Sequence, residues 1–207
     1  MTRLLILLQV VLSMSHILYI PMKAMGNMIE VCYIEPNNYR NDILLQYQKK
    51  YYGVYINDPR ELDVFENSTS LLGWFDSFEK SSDEKLSICL DQHKYRAFIT
   101  LEPKGMDLQS IANGIYDSQI IAYLQKLSSG DRVKSNLFVR FAHEMEMRPT
   151  YANSWYSWQG YDSDVYVDAW RHVVTLSRTY APNILWVWSP NRADLFSYSY
   201  YPGGGVR

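Results

Sequence analysis

The residues best suited to chemistry lie in the stretch Arg140–Pro149, RFAHEMEMRP, where His143 directly precedes Glu144 at the end of an apolar run. A glutamate at such a position could donate a proton or help to hold a metal ion. The metal interpretation requires the spacing His-Glu-x-x-His of zinc protease helices, and position 147 is a methionine. The chain has 4 histidines, and the others show no ligand spacing to His143. We therefore predict no metal site and no cofactor.

Acid catalysis remains after other kinds of active site are considered. The sequence has no Gly-x-Ser-x-Gly elbow and no glycine loop of the phosphate-binding type, and neither cysteine lies at a promising turn. Cleavage of a glycosidic bond needs one carboxyl group that protonates the leaving oxygen and a second carboxylate at the anomeric carbon. Glu144 is the candidate for the first of these groups.

Aromatic residues are abundant, with 18 tyrosines and 6 tryptophans in the chain. Flat aromatic side chains stack against sugar rings, but they are also common in hydrophobic cores. The sequence leaves both interpretations open for the aromatic residues that follow Glu144, which are Trp155, Tyr156, Trp158, Trp186 and Trp188.

Composition limits the class of protein and the kind of ligand. A chain of 207 residues with 47% hydrophobic residues is long enough to form one domain with a sizeable core. The net charge of −2 provides no basic field that would attract a polyanion. We therefore predict no nucleic-acid partner and favour a neutral ligand.

Short apolar segments alternate with longer amphipathic segments, which predicts βα units around a parallel sheet. The sequence shows no internal repeat and no linker that would indicate a second domain. The predicted strands are Tyr51–Asn57, Leu71–Glu79, Tyr95–Pro103, Asn136–Glu144 and Ile184–Asn191, and the predicted helices are Ser81–His93, in which Ser82 could cap the helix, Asp117–Ser129 and Asp162–Tyr180.

Polar residues lie at the ends of the predicted strands. In a barrel of parallel strands, the side chains at the carboxyl ends converge on one mouth, where such folds carry out their chemistry. For Asp58 and Glu79 the commoner explanation is the start of a solvated loop. The residues at strand ends are Asp58, Glu79, Glu102, His143, Glu144 and Asn191.

The first 26 residues are typical of an export signal, because Arg3 precedes an apolar run and Ala24 and Gly26 suit the pockets of a signal peptidase. The alternative is an uncleaved membrane anchor over Leu4–Met22. We predict a secreted or exported protein that would contact a membrane only through this segment if it is not cleaved. We also predict an N-terminal extension over residues 27–50 and a barrel domain over residues 51–207. Cys32 and Cys89 could form a disulfide or remain separate thiols.

Four segments, in this order, resemble glycoside hydrolase family 26, a family that consists chiefly of endo-β-1,4-mannanases with (β/α)8 barrels. The resemblance covers roughly residues 50–207, with weaker similarity in FITLEP (Phe98–Pro103) and IANGIYD (Ile111–Asp117). The four segments are VRFAHEM (Val139–Met145), WYSW (Trp155–Trp158), AWRHVV (Ala169–Val174) and WVWSPN (Trp186–Asn191).

The resemblance implies roles for individual residues. Glu144 would be the general acid/base, and His143 would orient it or contact the sugar. Arg140 would hold carboxylates inside the mouth, or else form a salt bridge that closes the barrel. Asn191 would line the sugar groove unless it only caps the turn at Pro190. The aromatic residues of the groove would be Trp155, Tyr156 and Trp158.

Two departures from the family affect these expectations. The loop between Met145 and Trp155 is longer than in the family, and Glu146 within it receives no role. The family's nucleophile follows strand seven, and no position of this sequence matches it, so we expect a (β/α)8 barrel truncated after about five strands.

The resemblance implies a retaining endo-β-glycanase that acts on β-mannan or a related β-linked polysaccharide, with impaired hydrolysis in this chain. The alternatives are a carbohydrate-binding protein without catalysis and a fragment that does not fold alone.

Overall fold

The computed structural model describes residues 17–19, 28–33, 49–58, 70–92, 94–134, 137–147, 156–191 and 199–203. In this part of the chain, seven strands form one sheet in the order β1-β7-β6-β5-β4-β3-β2. The strands are β1 (Ile17–Tyr19), β2 (Met28–Tyr33), β3 (Lys49–Tyr55), β4 (Leu71–Ser77), β5 (Arg96–Glu102), β6 (Leu137–Phe141) and β7 (Ile184–Trp188).

Strands β3 to β7 are parallel, and each pairs with the next strand along the chain. This sequential order is that of a (β/α)8 barrel, whereas a doubly wound sheet reverses its strand order. The described part of the chain thus holds five consecutive parallel strands of a barrel, which confirms the predicted fold class. Each of these strands ends somewhat earlier than predicted.

Two further strands extend the sheet at its edges. Strand β2 is antiparallel to β3, and β1 is parallel to β7. Strand β2 lies in the predicted extension, and β1 lies in the predicted export signal, whose cleavage stays a prediction. Among the residues that the structure describes, no helix is both long and apolar enough to cross a membrane.

The helices alternate with the parallel strands. Three predicted helices are present, but the first is short and continues into a π-helical turn, Ser87–Asp91. Ser82 precedes that helix without a side-chain capping bond. The helices are α1 (Asp83–Leu86), α2 (Leu108–Ala112), α3 (Asp117–Ser128) and α4 (Ser163–Tyr180), with a 3-10 turn over Gly130–Lys134.

The core lies between the sheet and the helices. Successive side chains of a strand point to opposite faces, so Ile99 and Leu101 of β5 pack in the same core as α3 and α4, whereas Thr100 between them faces the other way. Cys89 is a buried free thiol in this core, and burial raises its pKa to about 12. The thiol therefore stays protonated and packs as a small apolar group.

One carboxylate on the helix side of the sheet is fully engaged by the fold. Asp76 of β4 is buried, and its Oδ1 accepts a hydrogen bond of 3.0 Å from the backbone N–H of Ser82. Its Oδ2 accepts a bond of 3.0 Å from the hydroxyl of Tyr123 in α3. Burial raises the pKa of Asp76, although the hydrogen bonds act in the opposite direction. Asp76 therefore ties the end of β4 to the helix layer.

Candidate active site

The carboxyl ends of the parallel strands bring several polar and aromatic side chains together on the inner face of the sheet. Phe75 of β4 pairs in register with Thr100 of β5, and Thr100 pairs with Arg140 of β6. Tyr55 ends β3, and Ser189 follows β7. These positions define the mouth of the sheet, as expected for a barrel of this class.

Arg140 crosses the mouth and connects three strands. Its Nε and Nη2 donate to Thr100 Oγ1 at 3.2 and 3.0 Å, and its Nη1 lies 3.5 Å from Ser189 Oγ. The guanidinium carbon lies 5.9 Å from the ring centroids of Tyr55 and Phe98. The side chain is only 6% exposed. The planar fork of an arginine suits this combination of directed hydrogen bonds and ring contacts.

Tyr55 completes this cluster from β3. Its hydroxyl forms a hydrogen bond of 2.8 Å with Thr100 Oγ1, the same atom that Arg140 contacts. Burial raises the pKa of Tyr55, although the Arg140 charge and the Thr100 bond oppose the change. Tyr55 therefore stays protonated in a fixed position beneath Phe75, whose ring stacks on it at 5.2 Å.

Glu144 lies on a tight turn rather than at the end of an extended strand. Its φ is +54° and that of Ala142 is +44°, values that non-glycine residues rarely adopt. The Glu144 N–H donates to Ser189 O at 2.8 Å, and its carbonyl accepts from Gln159 Nε2 at 3.1 Å. These bonds offset a strain of about 1–2 kcal/mol per residue. The turn ends β6 at Phe141, so the predicted strand Asn136–Glu144 was too long.

His143 is buried among aromatic rings. Its ring lies 6.1 Å from Phe75, 4.9 Å from Tyr156 and 5.7 Å from Trp158, measured between centroids. Burial, with repulsion from the cations of Arg140 and Lys104, lowers the pKa of His143 to about 2. The imidazole is therefore neutral at ordinary pH. It can orient neighbouring groups, but it cannot supply a proton as imidazolium.

Tyr156 and Trp158 form a stacked pair beside His143. Their centroids are 4.5 Å apart with an interplanar angle of 17°, and Trp158 Nε1 donates to the His143 carbonyl at 2.9 Å. The pKa of Tyr156 is raised by burial and then by the charges of Glu102 and Glu144. The Tyr156 hydroxyl therefore stays protonated and remains a hydrogen-bond donor.

The other predicted aromatic residues have different environments. Trp186 packs edge-on against Trp170, with centroids 5.8 Å apart, and Trp188 packs against Tyr201 at 5.0 Å. Both tryptophans are buried in the core, so the core interpretation holds for them. Trp155 lies outside the described residues.

Glu102 lies in the mouth, as the sequence predicted for residues at strand ends, although the sequence assigned it no individual role. It ends β5 on the same face as Thr100, it is 3% exposed, and its Oε2 lies 2.6 Å from Lys104 Nζ. The alternation of β5 explains this position, because Phe98, Thr100 and Glu102 share one face. The sequence missed Tyr55, Phe75, Thr100 and Ser189, since only the pairing of the strands brings them together.

The remaining strand-end residues lie at the periphery or on the helix side. Glu79 and Asn191 are exposed, Asp58 is partly exposed, and no hydrogen bond within the described part of the chain joins Glu79 or Asn191 to the mouth. Glu146 is buried and contributes to the raised pKa of Tyr166 in α4, after the larger effect of burial. The charge of Glu146 therefore affects the pKa of a tyrosine in α4, whereas the charge of Glu144 affects the pKa of Tyr156.

Comparisons with known proteins show similarity in fold. No protein-family model matches this chain, and no curated protein matches it in sequence. The structure of the YdhT protein from Bacillus subtilis is similar with a TM-score of 0.51 and 16% identity over 72% of this chain. The Bacillus subtilis mannanase BCman is similar with a TM-score of 0.50 and 16% identity over 72% of this chain. This chain spans 57% of the length of each structure. At this identity, the similarity concerns the fold alone.

Proposed function

We propose that this chain is related to glycoside hydrolase family 26 and that Glu144 is the proton donor of a retaining β-glycanase site. The observation that carries the proposal is the position of Glu144, which is partly exposed on a turn at the end of β6 and held by Ser189 and Gln159. A neutral His143 and the stacked Tyr156–Trp158 pair lie beside it. A partly exposed carboxyl group on a backbone that is held in place beside aromatic rings suits protonation of a bond between sugars.

The reaction begins when Glu144 donates its proton to the glycosidic oxygen as the bond to the anomeric carbon breaks. A second carboxylate attacks that carbon and forms a glycosyl ester, which water then hydrolyses while Glu144 accepts the proton of the water. No residue of this sequence is assigned to the second role. Arg140 would be a positioning residue, since it connects β6 to Thr100 and Ser189.

The substrate class is proposed from a structure of similar fold and from the charges around the mouth. One structure of similar fold is a mannanase, so β-mannan is the first candidate and other β-linked polysaccharides are the next. The carboxylates of Glu102 and Glu144 are balanced there by the cations of Arg140 and Lys104, and Glu102 pairs with Lys104 at 2.6 Å. A mouth without excess charge suits a neutral polysaccharide.

A second candidate function is carbohydrate binding without hydrolysis. The observation that favours it is that Tyr55, Phe75, His143 and the stacked Tyr156–Trp158 pair come into contact within β3 to β6 and the loop that carries Tyr156. Binding requires these groups but does not require a nucleophile.

The deciding experiment is a reducing-sugar assay of the purified chain on galactomannan, β-glucan and xylan. Because no residue of this sequence is assigned as the nucleophile, we expect slow release from galactomannan, and we expect this release to fall by about 10²- to 10⁴-fold in Glu144→Gln. The matched control is Asp168→Asn, which makes the same carboxylate-to-amide change at an exposed position of α4 and leaves the rate unchanged.

Each other outcome has a defined meaning. A rate that is unaffected by Glu144→Gln would exclude Glu144 as the proton donor. Absence of turnover together with binding of mannan oligosaccharides, measured by calorimetry, would favour the second candidate function. Absence of both turnover and binding would reject both candidates.

A further inference from the structure

Phe75 is the exposed residue of an otherwise buried strand. In β4, Leu71, Leu72, Gly73 and Trp74 are buried, but the ring of Phe75 is 47% exposed. Burial of a phenylalanine side chain in an apolar environment is favourable, and much of this contribution is absent in the free chain. The inner face of the sheet is therefore closed below Phe75 and open to solvent at Phe75.

The neighbours of Phe75 hold its ring in place. One face of the ring stacks on Tyr55 at 5.2 Å with an interplanar angle of 29°, and the ring of His143 approaches at 61° from 6.1 Å. Tyr55 is itself fixed by its hydrogen bond to Thr100. A ring held in this way loses little side-chain entropy when a ligand covers it.

We propose that Phe75 is a stacking platform for a pyranose ring of a β-linked glycan, beside His143, whose ring also contacts the Tyr156–Trp158 pair. This inference rests on the proposed function and extends it by adding a binding residue from β4. The ring face that does not contact Tyr55 stacks on the C–H face of the sugar. The glycan then lies across the carboxyl ends of β4, β5 and β6.

The polar surroundings of Phe75 favour a sugar over a purely apolar ligand. Glu102 ends β5 on the face of Thr100, Glu144 directly follows His143, and the ring of Tyr156 lies 4.9 Å from that of His143. An apolar ligand would remove these groups from water without providing hydrogen bonds, which is costly. A pyranose has an apolar face for Phe75 and hydroxyl groups at its rim for the carboxylates.

The test is isothermal titration calorimetry with β-1,4-mannopentaose. The variants are Phe75→Ala, Phe75→Leu, which keeps apolar bulk without an aromatic face, and Phe75→Tyr, which keeps the aromatic face. We expect Kd to rise about fivefold to tenfold in the Ala and Leu variants and to change less than about twofold in the Tyr variant. The matched control is Ile115→Ala, which removes another exposed apolar side chain, 71% exposed, and leaves Kd unchanged.

Thermal melts of every variant separate loss of binding from loss of folding, and the two conservative variants keep the test decisive if Phe75→Ala unfolds. Binding by the wild type that Phe75→Ala and Phe75→Leu do not weaken overturns the platform and leaves the proposed function intact. Binding weakened in Ala but retained in Leu also overturns it, because bulk then replaces stacking. Absence of wild-type binding to mannopentaose, cellopentaose and xylopentaose overturns the platform, and only when turnover is absent as well does it reject the proposed function.

Discussion

Two groups of buried polar side chains near the strand ends differ in how completely the fold uses them. On the helix side, both oxygens of Asp76 accept hydrogen bonds, from Ser82 and Tyr123. On the inner side, His143 Nδ1 is buried and forms no hydrogen bond to any part of the chain that the structure describes. Phe75 beside it remains exposed. The first arrangement supports the fold, whereas the second has capacity left for a ligand.

The difference follows from the face to which each residue points. Asp76 has the same parity on β4 as Leu72 and Trp74, which pack with the helices. Phe75 has the opposite parity and therefore points into the mouth. A polar residue near the end of a strand is thus a candidate for chemistry when it has the parity of the inner face.

The largest expected effect is a loss of stability on the helix side. Asp76→Ala leaves the buried hydroxyl of Tyr123 without its acceptor and should lower the free energy of unfolding by about 3 kcal/mol. Urea titration measures the change, and the double variant Asp76→Ala/Tyr123→Phe should recover part of it. Asp168→Ala on the exposed face of α4 is the control and should change stability by less than about 0.5 kcal/mol. If Asp76→Ala also lowered the free energy of unfolding by less than about 0.5 kcal/mol, the polar side chains on the helix side would support the fold no more than those on the inner side.

The next effect is a dependence of stability on pH that arises in the mouth. The pKa of His143 is lowered to about 2 in the folded chain from 6.5, so below pH 6.5 the unfolded chain binds a proton that the folded chain does not. Stability from this group is complete above pH 6.5 and is lost as the pH falls, by about 2 kcal/mol at pH 5. Melts from pH 7.5 to 5 should show a shallower acid-side decline in His143→Leu. The control Ile115→Ala, which removes an exposed side chain without a titratable group, should keep the wild-type decline. An unchanged slope in His143→Leu would contradict a buried neutral imidazole.

A smaller change in stability is expected when Arg140, the arginine in the mouth, loses its planar guanidinium group. Arg140→Lys keeps the charge but cannot bond both Thr100 and Ser189 through a planar fork. We expect a loss of about 1 kcal/mol in the free energy of unfolding, together with weaker binding of mannopentaose. Equal stability and binding in the Lys variant would mean that the charge alone matters. Lys134→Arg, at an exposed lysine, is the reverse exchange and serves as the control.

The sequence predicted the five parallel strands because each is a nearly continuous apolar run. It did not predict β1 and β2, whose place at the edges depends on pairing with β7 and β3. Helix α2 was missed because a helix of 5 residues is too short to show helical periodicity. Its capping residue Asp107, which accepts from the Ser110 N–H at 2.8 Å, was the available signal.

The sequence predicted the residues of the site that are close together in the chain and missed those that come from distant strands. His143, Glu144, Tyr156 and Trp158 are close in the chain, so a local motif could indicate them. The turn at Glu144 depends on Ser189 and Gln159, and such contacts are invisible in a local pattern. Phe75 and Tyr55 contribute from strands that precede the motif by many residues, and only strand order and register bring them to it.

The smallest expected change in stability belongs to the residue with the largest proposed role. Glu144 is partly exposed, and the bonds that hold it involve its backbone rather than its carboxylate. Glu144→Gln should therefore change the free energy of unfolding by less than about 0.5 kcal/mol. Urea titration beside Asp168→Asn measures this change. A loss above about 2 kcal/mol would mean that the carboxylate supports the fold as Asp76 does, because a group reserved for a substrate is one that the folded chain can lose without cost.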